Sequence, residues 1–131
     1  MGFVIVLIEP NFSNVNDNAI AGLAQENGKW IFVCTVFFVP VVEELIYRGL
    51  IFQNLQRKNR LLAYCVTVAV FSFIHIMGFI GSESWRTLAI CFVQYLPAGL
   101  ALAWAYEKTD TIITPILIHI AINLLGMTIL R

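Results

Sequence analysis

The chain has 131 residues, of which 60% are hydrophobic and only 12% charged, about half the usual charged share of about 25% in soluble domains. Eight basic residues balance eight acidic ones, so no basic field points to nucleic acid as a partner. With a mean hydropathy of +0.83, this composition excludes an ordinary soluble globule. It predicts an all-α, polytopic membrane helix bundle of about four transmembrane helices plus a short N-terminal interfacial segment.

In chain order, residues 3–8 are apolar but too few to cross about 30 Å of hydrocarbon. No basic residue precedes them and no small-residue cleavage site follows, so they do not read as a signal peptide. Met1-Gly2 is followed at position 6 by Val, where a myristoylation signal has Ser or Thr. The start therefore reads as the tail of a helix whose beginning is missing. Residues 9–29 form the one long polar stretch, rich in the turn and cap formers Pro10, Asn11, Ser13, Asn14, Asn16, Asp17 and Asn18. Asp17 or Asn18 is expected to cap a short amphipathic helix over 19–25, ended by Asn27-Gly28. Residues 1–29 thus form a partial or interfacial segment, and 30–131 the membrane-embedded core.

Four spans are expected in that core. The first covers 30–55, with Trp30 as an interface anchor and Pro40 kinking it one turn before a pair of glutamates. The second covers 61 to 78 or 80, and is apolar apart from Thr67, Ser72 and His75. The third covers 85–106, with Gln94 as its main polar group, a kink at Pro97, and Gly99 and Ala103 on a small-residue face for close packing. The fourth covers 111–130, with Pro115 in its first turn and His119 and Asn123 in its middle. Basic residues crowd the 53–60 connection (Arg57, Lys58, Arg60), which places that loop on the cytoplasmic side of a multi-pass cell-membrane protein. Cys34, Cys65 and Cys91 lie in apolar stretches without zinc-site spacing and read as small buried hydrophobes.

Charge inside the first span is the signal that matters most. Glu43, Glu44 and Arg48 interrupt an apolar run, and each charge at a bilayer centre costs at least about 2.5–3.5 kcal/mol. Counting roughly 1.5 Å per residue from the cytoplasmic ends puts the glutamates about 17 Å deep, His75 about 21 Å, His119 about 12 Å and Asn123 about 18 Å. Polar groups of three helices thus fall near one depth and are expected to share a site. Glu44 and Arg48 are four apart, acid first, as for an ion pair, and His119 and Asn123 share a face in the same way. Glu43 lies about 100° round the helix and faces another target.

Each residue also has a plainer reading: a structural ion pair, a packing histidine, an interhelical amide bond. Taken together they suit hydrolysis by an activated water. A carboxylate with an imidazole deprotonates the water, and a second imidazole and a carboxamide donate to an oxyanion. Ser72 has no acid partner and does not read as a nucleophile. The zincin pattern H-E-x-x-H is absent, so no metal and no cofactor are expected. A proton or metal pathway through Glu43, His75 and His119 is the lesser alternative.

The motifs E-E-L-I-Y-R (Glu43 to Arg48), F-S-F-I-H (Phe71 to His75) and H-I-A-I-N (His119 to Asn123), in that order on successive apolar segments, resemble the CPBP family. These are the CAAX proteases and bacteriocin-processing enzymes, also called Abi. The resemblance implies a metal-independent intramembrane glutamic endopeptidase. By it Glu43 is the general base, His75 helps activate the water, His119 and Asn123 form the oxyanion hole, and Glu44 and Arg48 support the site. Its substrates would be peptides or membrane proteins: the residues after a prenylated cysteine, or proteins of bacteriocin maturation and self-immunity. Members of that family carry further helices before the E-E helix. The departure implies a minimal core, a fragment, or a subunit whose packing is completed by a partner or a second copy. A non-catalytic immunity or binding protein on the same fold is the alternative.

Overall fold

The computed structural model describes residues 12–129. The expectations for Met1-Gly2, the apolar run at 3–8, and Leu130 at the end of the last span lie outside the described residues. Within them the chain forms four helices and no strand: α1 (Val15–Gln56), α2 (Arg60–Met77), α3 (Trp85–Thr109) and α4 (Ile113–Ile129). The first three are long and apolar enough to cross a membrane, while α4 is shorter. Helices thus stand at all four expected spans, but only the first three have the length to cross a membrane, and the fourth starts two residues late.

Local chemistry explains the helix ends. Asn59 accepts from the Leu62 amide and caps α2; Ser84 accepts from the Thr87 amide and caps α3. Between them Gly81 sits at φ +93°, where a side chain would be strained. Helix α3 runs through Pro97 and stops at Asp110, in the left-handed conformation. The neighbouring ends of α2 and α3 are tied by Arg60, whose Nη2 donates to Glu107 Oε2 at 2.9 Å, and by the Tyr64 hydroxyl, which donates to the same oxygen at 2.8 Å.

Helix α1 is not the single rod its length suggests. Straight, its 42 residues would run about 63 Å, twice the hydrocarbon thickness. It breaks at Asn27, where φ −138° and ψ 49° leave the helical region. Residues 28–56 form the apolar arm that carries the glutamates. Residues 15–26 form a short polar arm that doubles back, so that Phe12 and Val15 pack on the cluster of Ile76, Leu88 and Cys91. The break falls where the sequence places a helix end. The cap does not: Asn14 holds the amides of Asn16 and Asp17, in place of Asp17 or Asn18. The helix consequently starts earlier than expected.

Two π-helical stretches, Cys34–Phe38 and Leu45–Phe52, flank the α-helical turn Val39–Glu44. The first has a visible cause. Pro40 has no N–H, and its ring would press on the Val36 carbonyl of a regular α-turn. A widened turn ahead of it relieves that contact.

Packing is tightest between α2 and α3, where Gly99 meets Val68 and Phe71. A Cβ at Gly99 would lie 3.3 Å from Val68 Cγ1 and 3.4 Å from its backbone Cα. Ala103 continues this small-residue face and is fully buried with Phe52, Ala63 and Tyr106. Outward faces are apolar, with Trp30, Phe38, Val42, Leu50, Leu61 and Trp104 exposed, as expected where lipid is the solvent. Cys91 is buried, but Cys34 and Cys65 are exposed and correct the expectation of burial. In a membrane bundle an apolar residue is equally at home facing out.

Gly99→Ala is expected to lower stability in detergent micelles by about 1–3 kcal/mol through overpacking against the α2 backbone, and Gly99→Leu to stop accumulation in the membrane. Thermal unfolding of the first and immunoblots of the second check this; an undisturbed Gly99→Leu protein would contradict the close approach.

Candidate active site

Six side chains singled out from the sequence lie on three of the helices, and five converge. Glu44, at the end of the α-helical turn between the π stretches, is fully buried, as is Arg48. Arg48 Nη1 donates to Glu44 Oε1 at 2.8 Å, and Nη2 donates to the Gly99 carbonyl at 2.9 Å. That carbonyl is reachable because Gly99 brings α3 in close. The guanidinium also lies 5.3 Å from the Phe71 ring centroid and 5.8 Å from that of Tyr47. The same Glu44 oxygen accepts from His119 Nδ1, across from α4, at 2.8 Å. Glu44 thus joins α1 and α4, and Arg48 joins α1 and α3.

Glu43, one residue earlier, turns to different partners. Its Oε1 lies 3.9 Å from His75 Nε2 and its Oε2 3.6 Å from His119 Nε2. Both distances exceed a direct hydrogen bond. Glu43 Oε2 is buried and makes no hydrogen bond. His75 donates from Nδ1 to the Phe71 carbonyl, 2.7 Å away in the preceding turn. Each histidine therefore spends Nδ1 on a fixed acceptor and turns its Nε2 toward Glu43. Phe71 fills the space between the rings, 4.6 Å from His75 and 5.8 Å from His119 by centroid.

Asn123 shares the face of His119 but makes a separate contact. Its Nδ2 donates to the Thr35 carbonyl at 2.8 Å. That carbonyl lacks both of its usual backbone donors. Val39 N–H is drawn to Cys34 in the π turn, and Pro40, next in register, has no N–H. The amide of α4 thus satisfies a carbonyl orphaned by the proline of α1. One of its two N–H groups remains available.

Ser72 is buried with its hydroxyl unpartnered, so no base activates it. Among the described residues no group of three or more His, Cys, Asp or Glu side chains is arranged to hold a metal ion. Sequence reasoning missed Tyr95. Its ring stacks on His75 at 4.3 Å and an interplanar angle of 29°, and its hydroxyl is held by Asn14 and Asn16. An isolated tyrosine beside Gln94 within an apolar helix was the available signal.

Comparison with known proteins finds relatives of this chain. The family described as type II CAAX prenyl endopeptidase Rce1-like matches residues 25–125. The UPF0177 protein YxdF of Lactococcus lactis is 28% identical over 127 residues, covering 94% of this chain and 64% of that protein. The UPF0177 protein YbdJ of the same organism is 33% identical over 98 residues, covering 74% of this chain and 38% of that protein. The chain thus spans less than two thirds of the length of either relative. No solved structure matches.

Arg48→Met strands a fully buried carboxylate and is expected to cost about 3–5 kcal/mol, whereas Glu44→Leu combined with Arg48→Met should recover much of that loss. Unfolding in mixed micelles compares the two. A single variant as stable as the protein itself would mean that the pair carries no stability.

Proposed function

We propose, from the premise that this chain belongs to the Rce1-like family of type II CAAX prenyl endopeptidases, that it hydrolyses a peptide bond within the membrane using a water activated by Glu43. The observation that carries this reading is the convergence of Glu43, His75 Nε2 and His119 Nε2 at 3.6–3.9 Å. These spacings are too long for direct bonds and suited to a bridging water. Glu43, with one oxygen buried and unbonded, takes a proton from that water while His75 orients it. The resulting hydroxide attacks the scissile carbonyl. The tetrahedral oxyanion is met by His119 Nε2–H, in the doubly protonated ring whose counter-ion is Glu44, and by the second N–H of Asn123. Glu43 then delivers its proton to the leaving amine, so no covalent intermediate forms and no resident metal takes part.

The substrate proposed is a peptide or membrane protein cut near a lipidated cysteine, or a precursor in bacteriocin processing or self-immunity. The apolar outer surface and buried polar centre support such a membrane-borne substrate. The setting proposed is the cell membrane, with the 53–60 connection, which carries Arg57 and Lys58, on the cytoplasmic side. Helices from a partner or a second copy are proposed to complete the shielding of Glu43, whose side chain is 17% exposed.

Glu43→Gln keeps size and removes the base; cleavage of a farnesylated CAAX-type peptide should fall about 10²–10⁴-fold at matched membrane levels, with His119→Ala similarly impaired. Chelation by EDTA should leave the rate unchanged. If Glu43→Gln retains the protein's phenotype and processing, the carboxylate is no base, and the chain acts by binding.

A further inference from the structure

We infer that Tyr95 is a positioning residue for His75, and that the folded-back start of α1 holds it in place. The inference rests on the peptidase reading only for its kinetic consequence; the geometry stands alone. His75 occupies the last turn of α2, where helix ends fray most readily. Its imidazole is nonetheless held by two rings. Phe71 lies at 4.6 Å, tilted by 49°, and Tyr95 at 4.3 Å, stacked at 29°.

Stacking alone leaves a ring free to slide, but Tyr95 is anchored at its far end. Its hydroxyl donates to Asn14 Oδ1 at 3.2 Å and accepts from Asn16 Nδ2 at 3.2 Å. Asn14 is doubly engaged, since its Nδ2 donates to Gln94 Oε1 at 2.7 Å and its Oδ1 caps the helix. Phe12 and Val15 pin the same turn to the cluster of Ile76, Leu88 and Cys91, which begins one residue beyond His75. Asn14, Asn16, Gln94 and the Tyr95 hydroxyl are thus joined by hydrogen bonds, and apolar packing fixes the turn that carries the two asparagines. The path runs from Asn14 and Asn16 through the phenol to the imidazole. Its effect is to keep His75 Nδ1 on the Phe71 carbonyl, so that Nε2 faces Glu43. A loosened ring would turn away, swap tautomers and lose that alignment.

The chain holds only two histidines, so full-length protein labelled with ¹⁵N-histidine in micelles gives two ring systems, assigned by His75→Gln. Tyr95→Phe keeps the stacked ring and removes only the anchor; Asn14→Ala with Asn16→Ala removes the anchor from the other side. Both should convert His75 from a single Nδ1–H tautomer to a mixture and leave His119 unchanged, which also certifies the fold. Toward the farnesylated peptide both should lower kcat about 10–100-fold with KM within about twofold. Combining them should be no worse than either alone, since they cut one path. A His75 ring that keeps its single tautomer in both variants overturns the inference. If the parent protein cleaves nothing, the peptidase reading fails, and the tautomer comparison still decides the role of Tyr95.

Discussion

Everything in the bundle's centre depends on one carboxylate oxygen. Glu44 Oε1 receives a proton donor from Arg48 and another from His119, both at 2.8 Å. Taking an acid and a base wholly out of solvent carries a penalty of several kcal/mol per ion, recovered only with good geometry and further bonds. Here the further bonds are the imidazole of α4 and the Gly99 carbonyl of α3. Glu44 is therefore consumed by architecture. That commitment leaves its neighbour Glu43, set apart by the helical turn, without a strong partner and facing two imidazoles. Adjacent identical residues thus stand in different surroundings: Glu44 binds two donors through Oε1, although its buried Oε2 has no hydrogen-bond partner, and Glu43 has only the longer contacts.

The sequence and the structure agree best where a single helix carries its own signal. The apolar runs mark the spans, Asn27-Gly28 marks the break in α1, and the four-residue spacing of Glu44 and Arg48 anticipates their bond. Depth counting also anticipates that residues of α1, α2 and α4 meet, because rise per residue is nearly fixed. What could not be read is what tertiary contact decides. The polar arm at 15–26 looks like a loop or surface helix, since nothing local shows that it returns to pack beside His75. Asn14, one of several cap formers in that stretch, is the one that also reaches Gln94 and Tyr95. The outward positions of Cys34 and Cys65 were hidden for another reason: burial and lipid contact favour the same side chains. Asn123 was placed with His119 by spacing, but its bond to Thr35 requires knowing that the turn before Pro40 is widened.

That widened turn links backbone chemistry to the site. A proline in a helix creates an unsatisfied carbonyl, and such a group inside a membrane must find a donor. The donor comes from α4, the helix that also brings His119. The strain of one helix thus becomes an attachment point for another, about two turns before the glutamates. The apolar arm of α1 is held to α4 twice, through Thr35 and through Glu44.

The π stretches give α1 an unusual relation to insertion and deletion. Each widened turn accommodates a residue more than an α-helix would, so Glu43 and Glu44 stand between two places where chain length can change without ending the helix. Loss of one residue from 34–38 would let that turn tighten to a regular α-turn, and because the five residues of the π turn sweep nearly the same angle as one fewer in an α-helix, the glutamates would keep their facing. A residue lost from 39–42, between the widened turns, has no such slack and would swing the glutamates by about 100° relative to the preceding arm. For this fold the widened turns are places where chain length can vary while the chemistry stays in phase.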